Sequence, residues 1–125
     1  MGEPVKFNEA HVLFEKHLRE LDIGWQREYL FHPKRKWRFD YVVGPKLGIT
    51  KEGQRLFNAN HPSRSFAVEI EGAIWTQGRH TRGKGYQADL DKYNAATMMG
   101  YRVLRFSTED VLRGRAKAFI QEHLK

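Results

Sequence analysis

Two acidic side chains stand two residues apart in one short segment, and a third acid lies in a similar segment earlier in the chain. Residues 67–72 read AVEIEG and carry Glu69 and Glu71, while Asp40 lies within WRFDYVV. Side chains alternate between the faces of a β-strand, so Glu69 and Glu71 share one face. Carboxylates brought together raise each other's pKa unless a cation lies between them. A divalent ion would remove that repulsion, and Mg²⁺ binds one or two carboxylates together with phosphate oxygens of a substrate.

An amphipathic strand that faces water, with its acids paired to nearby Lys or Arg, is the alternative interpretation of the same segment. Against it, Glu is a poor strand former, and Ala67 and Gly72 leave space beside the acids for a ligand. The sequence favours the metal site and leaves the alternative open.

The basic residues indicate a polyanionic partner. The chain has 22 Lys and Arg against 15 Asp and Glu, a formal net charge of +7. Each Lys or Arg that contacts a phosphate releases a condensed counterion, which favours nucleic-acid binding. Two clusters, KRKWR at 34–38 and GRHTRGKG at 78–85, suit loops that follow a phosphate backbone, although solvated turns are the alternative. The predicted DNA-binding residues are Lys34, Arg35, Lys36, Arg38, Arg79, Arg82 and Lys84.

Composition excludes several kinds of site. The chain has no cysteine, which removes thiolate metal sites, disulfides and cysteine nucleophiles. No run of about 18 apolar residues is present, and the start MGEPVKFNEA lacks the pattern of a signal peptide. We therefore expect a cytoplasmic protein with no membrane segment.

Hydrophobic periodicity predicts one α/β domain over residues 1–125, in the order α-β-β-β-α-β-α. Residues 44–65 lose the periodicity and are predicted to form a long insertion, either a functional flap or an unrecognised short element. The predicted elements are a helix capped by Asn8 and ended by Gly24, strands at 25–31, 37–43 and 65–72, a helix at 86–100, a strand at 101–106 and a helix at 107–125.

Strand alternation predicts how the acids meet. In the second strand, Asp40 should share a face with Val42, and Phe39 should lie on the opposite face with Tyr41. If the second and third strands are neighbours, Asp40, Glu69 and Glu71 converge on one face of the sheet.

These residues resemble the motifs of the PD-(D/E)XK nuclease superfamily, particularly its small members similar to very-short-patch-repair endonucleases. The resemblance rests on Asp40 in RFDY, on VEIEG, on the following Asp89-x-x-Lys92 and on the strand VLRF, and it covers about residues 8–120. It implies a restriction-endonuclease-like core, a mixed four-stranded sheet flanked by helices. It also implies that Asp40 and Glu69 bind the metal, with the main-chain carbonyl of Ile70 as a further ligand.

Two positions depart from the pattern of the superfamily. Phe39 stands at the position of the Pro in the PD motif of the superfamily, and Glu71 stands at the position of its lysine. Some similar nucleases carry an acid there, and others place the lysine on the next helix, where Lys92 is the candidate. Lys92 lies beside an apparent buried stripe on that helix, and a surface pair between Asp89 and Lys92 is the alternative. The stripe comprises Tyr86, Leu90, Tyr93 and Thr97.

The sequence thus predicts a Mg²⁺-dependent DNA endonuclease in which Mn²⁺ is expected to substitute. Asp40, Glu69 and Glu71 are the predicted metal-binding acids, and Lys92, His80 or Lys84 would neutralise charge or transfer a proton. One alternative is an inactive nucleic-acid-binding module on the same fold, and another is an assembly protein with an acidic partner. Nicking, mismatch cleavage and four-way-junction resolution all remain open; junction resolution would require a homodimer.

Overall fold

A computed structural model describes residues 8–49, 55–57, 65–72 and 84–124. None of the helices in these ranges has the length and apolar character needed to cross a membrane. The elements in chain order are α1 Glu9–Glu20, β1 Gly24–Leu30, β2 Arg38–Gly44, β3 Lys46–Ile49, β4 Arg55–Phe57, β5 Phe66–Glu71, α2 Lys84–Met98, β6 Val103–Ser107, α3 Thr108–Leu112 and α4 Arg115–Leu124.

A mixed four-stranded sheet in the order β1-β2-β5-β6 forms the centre of the fold. The β1–β2 and β2–β5 pairs are antiparallel, and the β5–β6 pair is parallel. This confirms the predicted α/β class and makes the two acid-bearing strands neighbours. The β3 and β4 strands pair with each other in a second, two-stranded sheet, so the predicted insertion at 44–65 contains a short element.

Alternating residues of β2 and β5 are divided between two hydrophobic clusters. Tyr41 and Val68 pack in the cluster that contains α1, α3 and α4 side chains, whereas Val42 and Ala67 pack in the cluster that contains Ala96 of α2. Helices therefore flank the sheet, and their apolar burial stabilises it.

The predicted face of Phe39 is wrong, because Phe39 packs with Val42 and Ala67 rather than with Tyr41. The regular pairing of β1 with β2 is interrupted close to Phe39. Arg27 is paired with Tyr41 and Tyr29 with Phe39, but the intervening Glu28 is not paired with β2, and its φ is 54°. Phe39 stacks on Phe31 with ring centroids 4.1 Å apart.

The helix ends follow local capping chemistry. Asn8 caps α1 as predicted, accepting hydrogen bonds from the Ala10 and His11 amides, but α1 ends at Glu20 rather than at Gly24, which begins β1. The predicted C-terminal helix is divided into α3 and α4, since Gly114 has a φ of 80° between them. Ser107 forms a capping box with Asp110 at the start of α3.

The buried stripe predicted on α2 is wrong at three of its four residues. Tyr86, Leu90 and Thr97 are exposed, whereas Tyr93 is partly covered and Ala96 is fully buried. The face of α2 that packs on the sheet beside the acidic strand therefore carries Tyr93 and Ala96.

Candidate metal and nucleic-acid site

Asp40 and Glu69 are joined by hydrogen bonds across the β2–β5 pair. The register of the pair ends with Tyr41 opposite Val68, and Asp40 and Glu69 are the next residues beyond it on the two strands. The Asp40 N–H donates to Glu69 Oε2 at 3.0 Å, and the Ile70 N–H donates to Asp40 Oδ2 at 2.8 Å. Each carboxylate therefore binds the main chain of the neighbouring strand, which fixes both acids at this end of the ladder.

Both carboxyl groups carry raised pKa values. Burial is the main cause at Asp40, and the Ile70 N–H acts in the opposite direction. At Glu69 burial raises the pKa first and the negative charge of Asp40 raises it further, while Lys92 lowers it. A carboxyl group whose charged form is disfavoured by burial and by a neighbouring carboxylate provides the electrostatic setting in which a bound cation is stabilising.

Lys92 of α2 lies against this acid pair. Its Nζ is 3.4 Å from Glu69 Oε1, and only 16% of its side chain is exposed. Within the described part of the chain, its ion pair is with Glu69 rather than Asp89. A lysine from the helix after the acidic strand thus reaches the acid to which the resemblance assigns metal binding.

Tyr93, the next residue on α2, completes the surroundings of Glu69. Its hydroxyl donates to Glu69 Oε1 at 3.0 Å. Burial and the adjacent Glu69 carboxylate raise the pKa of Tyr93 far above its ordinary value. The phenol therefore stays protonated and remains a hydrogen-bond donor.

Glu71 has a different partner from the other two acids. Its carboxylate accepts a hydrogen bond from Nε of Arg105 on β6. The Arg105 guanidinium lies 4.8 Å from the centroid of the Tyr93 ring, and this ring connects the Glu71–Arg105 pair to Glu69 through the Tyr93 hydroxyl. The cluster of Asp40, Glu69, Glu71, Lys92 and Arg105 holds three carboxylates and two cations.

The donor set suits a hard cation that keeps open coordination positions. In the described ranges, no group of three or more His, Cys, Asp or Glu side chains is arranged to hold a metal ion. Two carboxylates are nevertheless the usual protein contribution to a Mg²⁺ site, where water and substrate phosphate supply the other oxygens. The main-chain carbonyl of Ile70 stays a predicted ligand.

Glu15 on α1 binds β2, the strand that carries Asp40, from the face of the sheet opposite α2. It is buried and accepts hydrogen bonds from Arg27 Nε at 2.8 Å, from Arg27 Nη2 at 3.0 Å and from the Tyr41 hydroxyl at 2.7 Å. Since Tyr41 directly follows Asp40, these bonds hold α1, β1 and the acidic part of β2 together.

The first basic cluster forms the turn between β1 and β2. The amides of Lys34 and Arg35 donate to His32 Nδ1 at 3.1 and 2.9 Å, which orders the turn. The Arg35 guanidinium lies 4.1 Å from the Trp37 ring centroid. The side chains of Lys34, Arg35 and Lys36 are exposed, whereas Arg38 pairs with Glu28 at 3.1 Å.

The second basic cluster lies mostly outside the described part of the chain. Arg79, His80 and Arg82 lie outside the described residues, and Lys84 is the first residue of α2. Their predicted roles in DNA binding and proton transfer stay predictions.

Tyr93 and Arg105 are the site residues for which the sequence predicted no role in the chemistry. A signal existed for Arg105, because it interrupts the apolar strand VLRF. Tyr93 directly follows Lys92, but its bond to Glu69 depends on how α2 sits on the sheet. Comparison of the chain with family models, curated proteins and solved structures returned no match.

Proposed function

We propose that this protein is a Mg²⁺-dependent endonuclease that hydrolyses phosphodiester bonds in DNA, with the site architecture of the PD-(D/E)XK nuclease superfamily. The observation that carries the proposal is the hydrogen-bonded Asp40–Glu69 pair, with Glu69 buried and the Lys92 ammonium 3.4 Å from it. The mixed sheet that makes β2 and β5 neighbours is consistent with the core that the resemblance implies.

Asp40 and Glu69 would hold the metal, and the hydrogen bonds that they accept from the Ile70 and Asp40 main-chain amides fix the orientation of the two carboxylates. When bound, Mg²⁺ polarises a phosphoryl oxygen and lowers the pKa of an attacking water. Lys92 supplies a fixed positive charge beside the reacting phosphate. A preorganised charge in a water-poor site contributes about 2–5 kcal/mol to transition-state stabilisation.

DNA would reach this site along exposed cations. Lys34, Arg35 and Lys36 project from a turn that His32 orders, so their charges are available to phosphates without a large ordering cost. The formal net charge of +7 gives the whole chain an attraction for a polyanion.

A cleavage panel tests the proposal. Purified protein with Mg²⁺ or Mn²⁺ is incubated with linear, nicked, mismatched and four-way-junction DNA, and light scattering records whether it is a monomer or a dimer. We expect cleavage of at least one substrate, abolished by EDTA and by Asp40→Ala. Asp91→Ala, which removes an exposed acid of α2, is the matched control and should cut like the original protein. Intact DNA throughout the panel, or equal cutting by Asp40→Ala, would contradict the proposal.

A second candidate is a nucleic-acid-binding module on the same fold that has no activity. The observation in its favour is that each acid already has partners within the protein: Glu69 binds Lys92 and Tyr93, and Glu71 binds Arg105. Such bonds balance the carboxylates without a metal. Salt-dependent DNA retention together with absent Mn²⁺ uptake would favour this candidate over the nuclease.

A further inference from the structure

We propose that Arg105 binds the scissile phosphate and that Glu71 is the positioning residue for its guanidinium. The inference rests on the proposed nuclease function and adds a phosphate-binding group to it. It also gives a physical reason for the acid at position 71, where the signature of the superfamily has a lysine. The second cation of the site is Arg105 on β6, and Glu71 binds its guanidinium.

Backbone register places Arg105 beside the acids. In the parallel β5–β6 pair, Glu69 is the partner of Arg105 and Glu71 is the partner of Ser107. The Cα atom of Arg105 therefore lies beside that of Glu69. From there the Arg105 side chain extends toward Glu71, two residues further along β5. This direction leads along the sheet from the acid pair toward the end of β5.

Two contacts fix the guanidinium. Its Nε donates to Glu71, and its Cζ atom lies 4.8 Å from the centroid of the Tyr93 ring, whose hydroxyl donates to Glu69. Within the described part of the chain, the two Nη groups have no hydrogen-bond partner. A guanidinium held through Nε presents these two amino groups as a fork, the arrangement that binds two phosphate oxygens at once.

Exposure separates the roles of the two cations. Arg105 is 53% exposed at its side chain, whereas Lys92 is 16% exposed. Lys92 is therefore committed to the interior of the site, and Arg105 stands where an incoming phosphate would meet it. An ion pair with a half-exposed partner adds little to folding stability, so stability alone gives weak reason for an arginine in this apolar strand.

Net charge at the site supports the same assignment. Three carboxylates and two cations leave the cluster with a formal charge of −1, and a divalent ion would change that to +1. Without Arg105 the loaded site would be neutral and would attract a phosphate less strongly.

Single-turnover cleavage of the substrate that the panel identifies tests the inference. We expect Arg105→Ala to cut about 100- to 1,000-fold more slowly, the range measured for removing one preorganised donor to a developing anion. Added guanidinium ion should restore at least tenfold of that loss, because it occupies the vacated place. Glu71→Ala should also be slow but should not respond to guanidinium, since its own Arg105 still fills the space. Arg113→Ala, which removes another arginine that pairs with an acid, should leave the rate unchanged.

The outcomes separate the two proposals. If the original protein cuts DNA and Arg105→Ala cuts within twofold of it, or guanidinium restores nothing, the Arg105 assignment is wrong while the nuclease proposal stands. If the original protein cuts no DNA, both are wrong. Should Arg105→Ala fail to fold by circular dichroism, Arg105→Lys carries the test: it keeps the charge but lacks the fork, and a rate equal to the original would overturn the assignment.

Discussion

Removal of the Lys92 charge should destabilise the fold by an amount set by its contact with Glu69. Lys92→Met keeps most of the apolar stem and deletes the ammonium. At the observed Nζ–Oε1 distance of 3.4 Å and an effective dielectric constant of about 20, the Coulomb attraction is about 5 kcal/mol. Hydration that the ammonium regains on unfolding offsets part of this attraction. We therefore expect the free energy of unfolding to fall by about 2–4 kcal/mol at pH 8.

The pH dependence of that loss identifies its origin. The pKa of Glu69 lies above its ordinary 4.5 because of burial and the charge of Asp40, and Lys92 opposes this shift. A carboxyl whose pKa is raised by folding binds more protons in the folded state, so its charged form costs stability as pH rises from 4.5 through the folded pKa. Acidification neutralises Glu69 and removes the need for a cation. Lys92→Met should therefore lose less stability at pH 5 than at pH 8.

Urea unfolding with EDTA present, at pH 5 and pH 8, measures both effects on metal-free protein. Lys16→Met, which removes an exposed lysine of α1, is the control and should change stability by less than about 1 kcal/mol. In single-turnover cleavage, Lys92→Met should be slower by about 30- to 5,000-fold, which corresponds to about 2–5 kcal/mol. An equal loss of stability at the two pH values, or a loss no larger than that of Lys16→Met, would refute the reasoning.

Three further variants test the elements that hold the site. Ser107→Ala removes the hydroxyl that caps α3 and should lower the free energy of unfolding by about 1 kcal/mol in urea; an unchanged midpoint would contradict the capping box. Gly114→Ala puts a side chain at a φ of 80° and should cost about 1 kcal/mol, and a more stable variant would argue against two separate helices. Glu15→Gln weakens the hydrogen bonds that the buried carboxylate accepts from Arg27 and from the Tyr41 hydroxyl and should lower the thermal midpoint through a loss of about 1 kcal/mol; an unchanged midpoint would show that these bonds contribute little.

Local patterns carry the parts of the fold that could be predicted. Alternation in 37–43 and 65–72 predicts both strands and puts Glu69 and Glu71 on one face of the sheet. In the structure this is the face that α2 covers. The Asn8 cap is also readable, because a cap depends on residues within one turn. These features are determined by neighbours in the chain.

Features that depend on distant residues could not be predicted in the same way. The Arg105–Glu71 pair follows from the parallel register of β5 and β6, which no local pattern specifies. Phe39 changes faces where the β1–β2 ladder is interrupted at Glu28, a position with nothing in its own residue type to mark a positive φ. The place of Lys92 on the following helix makes it a candidate for the signature lysine. Its contact with Glu69 depends on how α2 packs against the sheet, which the sequence does not specify.

Calorimetric titration of Mn²⁺ into the protein tests most directly whether the acid pair is a metal site. Asp40→Asn and Glu69→Gln keep the shape of each side chain and remove its charge, and Glu109→Gln changes an exposed acid of α3 as the control. We expect saturable binding to the original protein and to Glu109→Gln, and none to the other two variants. Identical binding isotherms for all four proteins, or no binding to the original protein, would contradict the central claim that Asp40 and Glu69 lie together to hold a divalent ion.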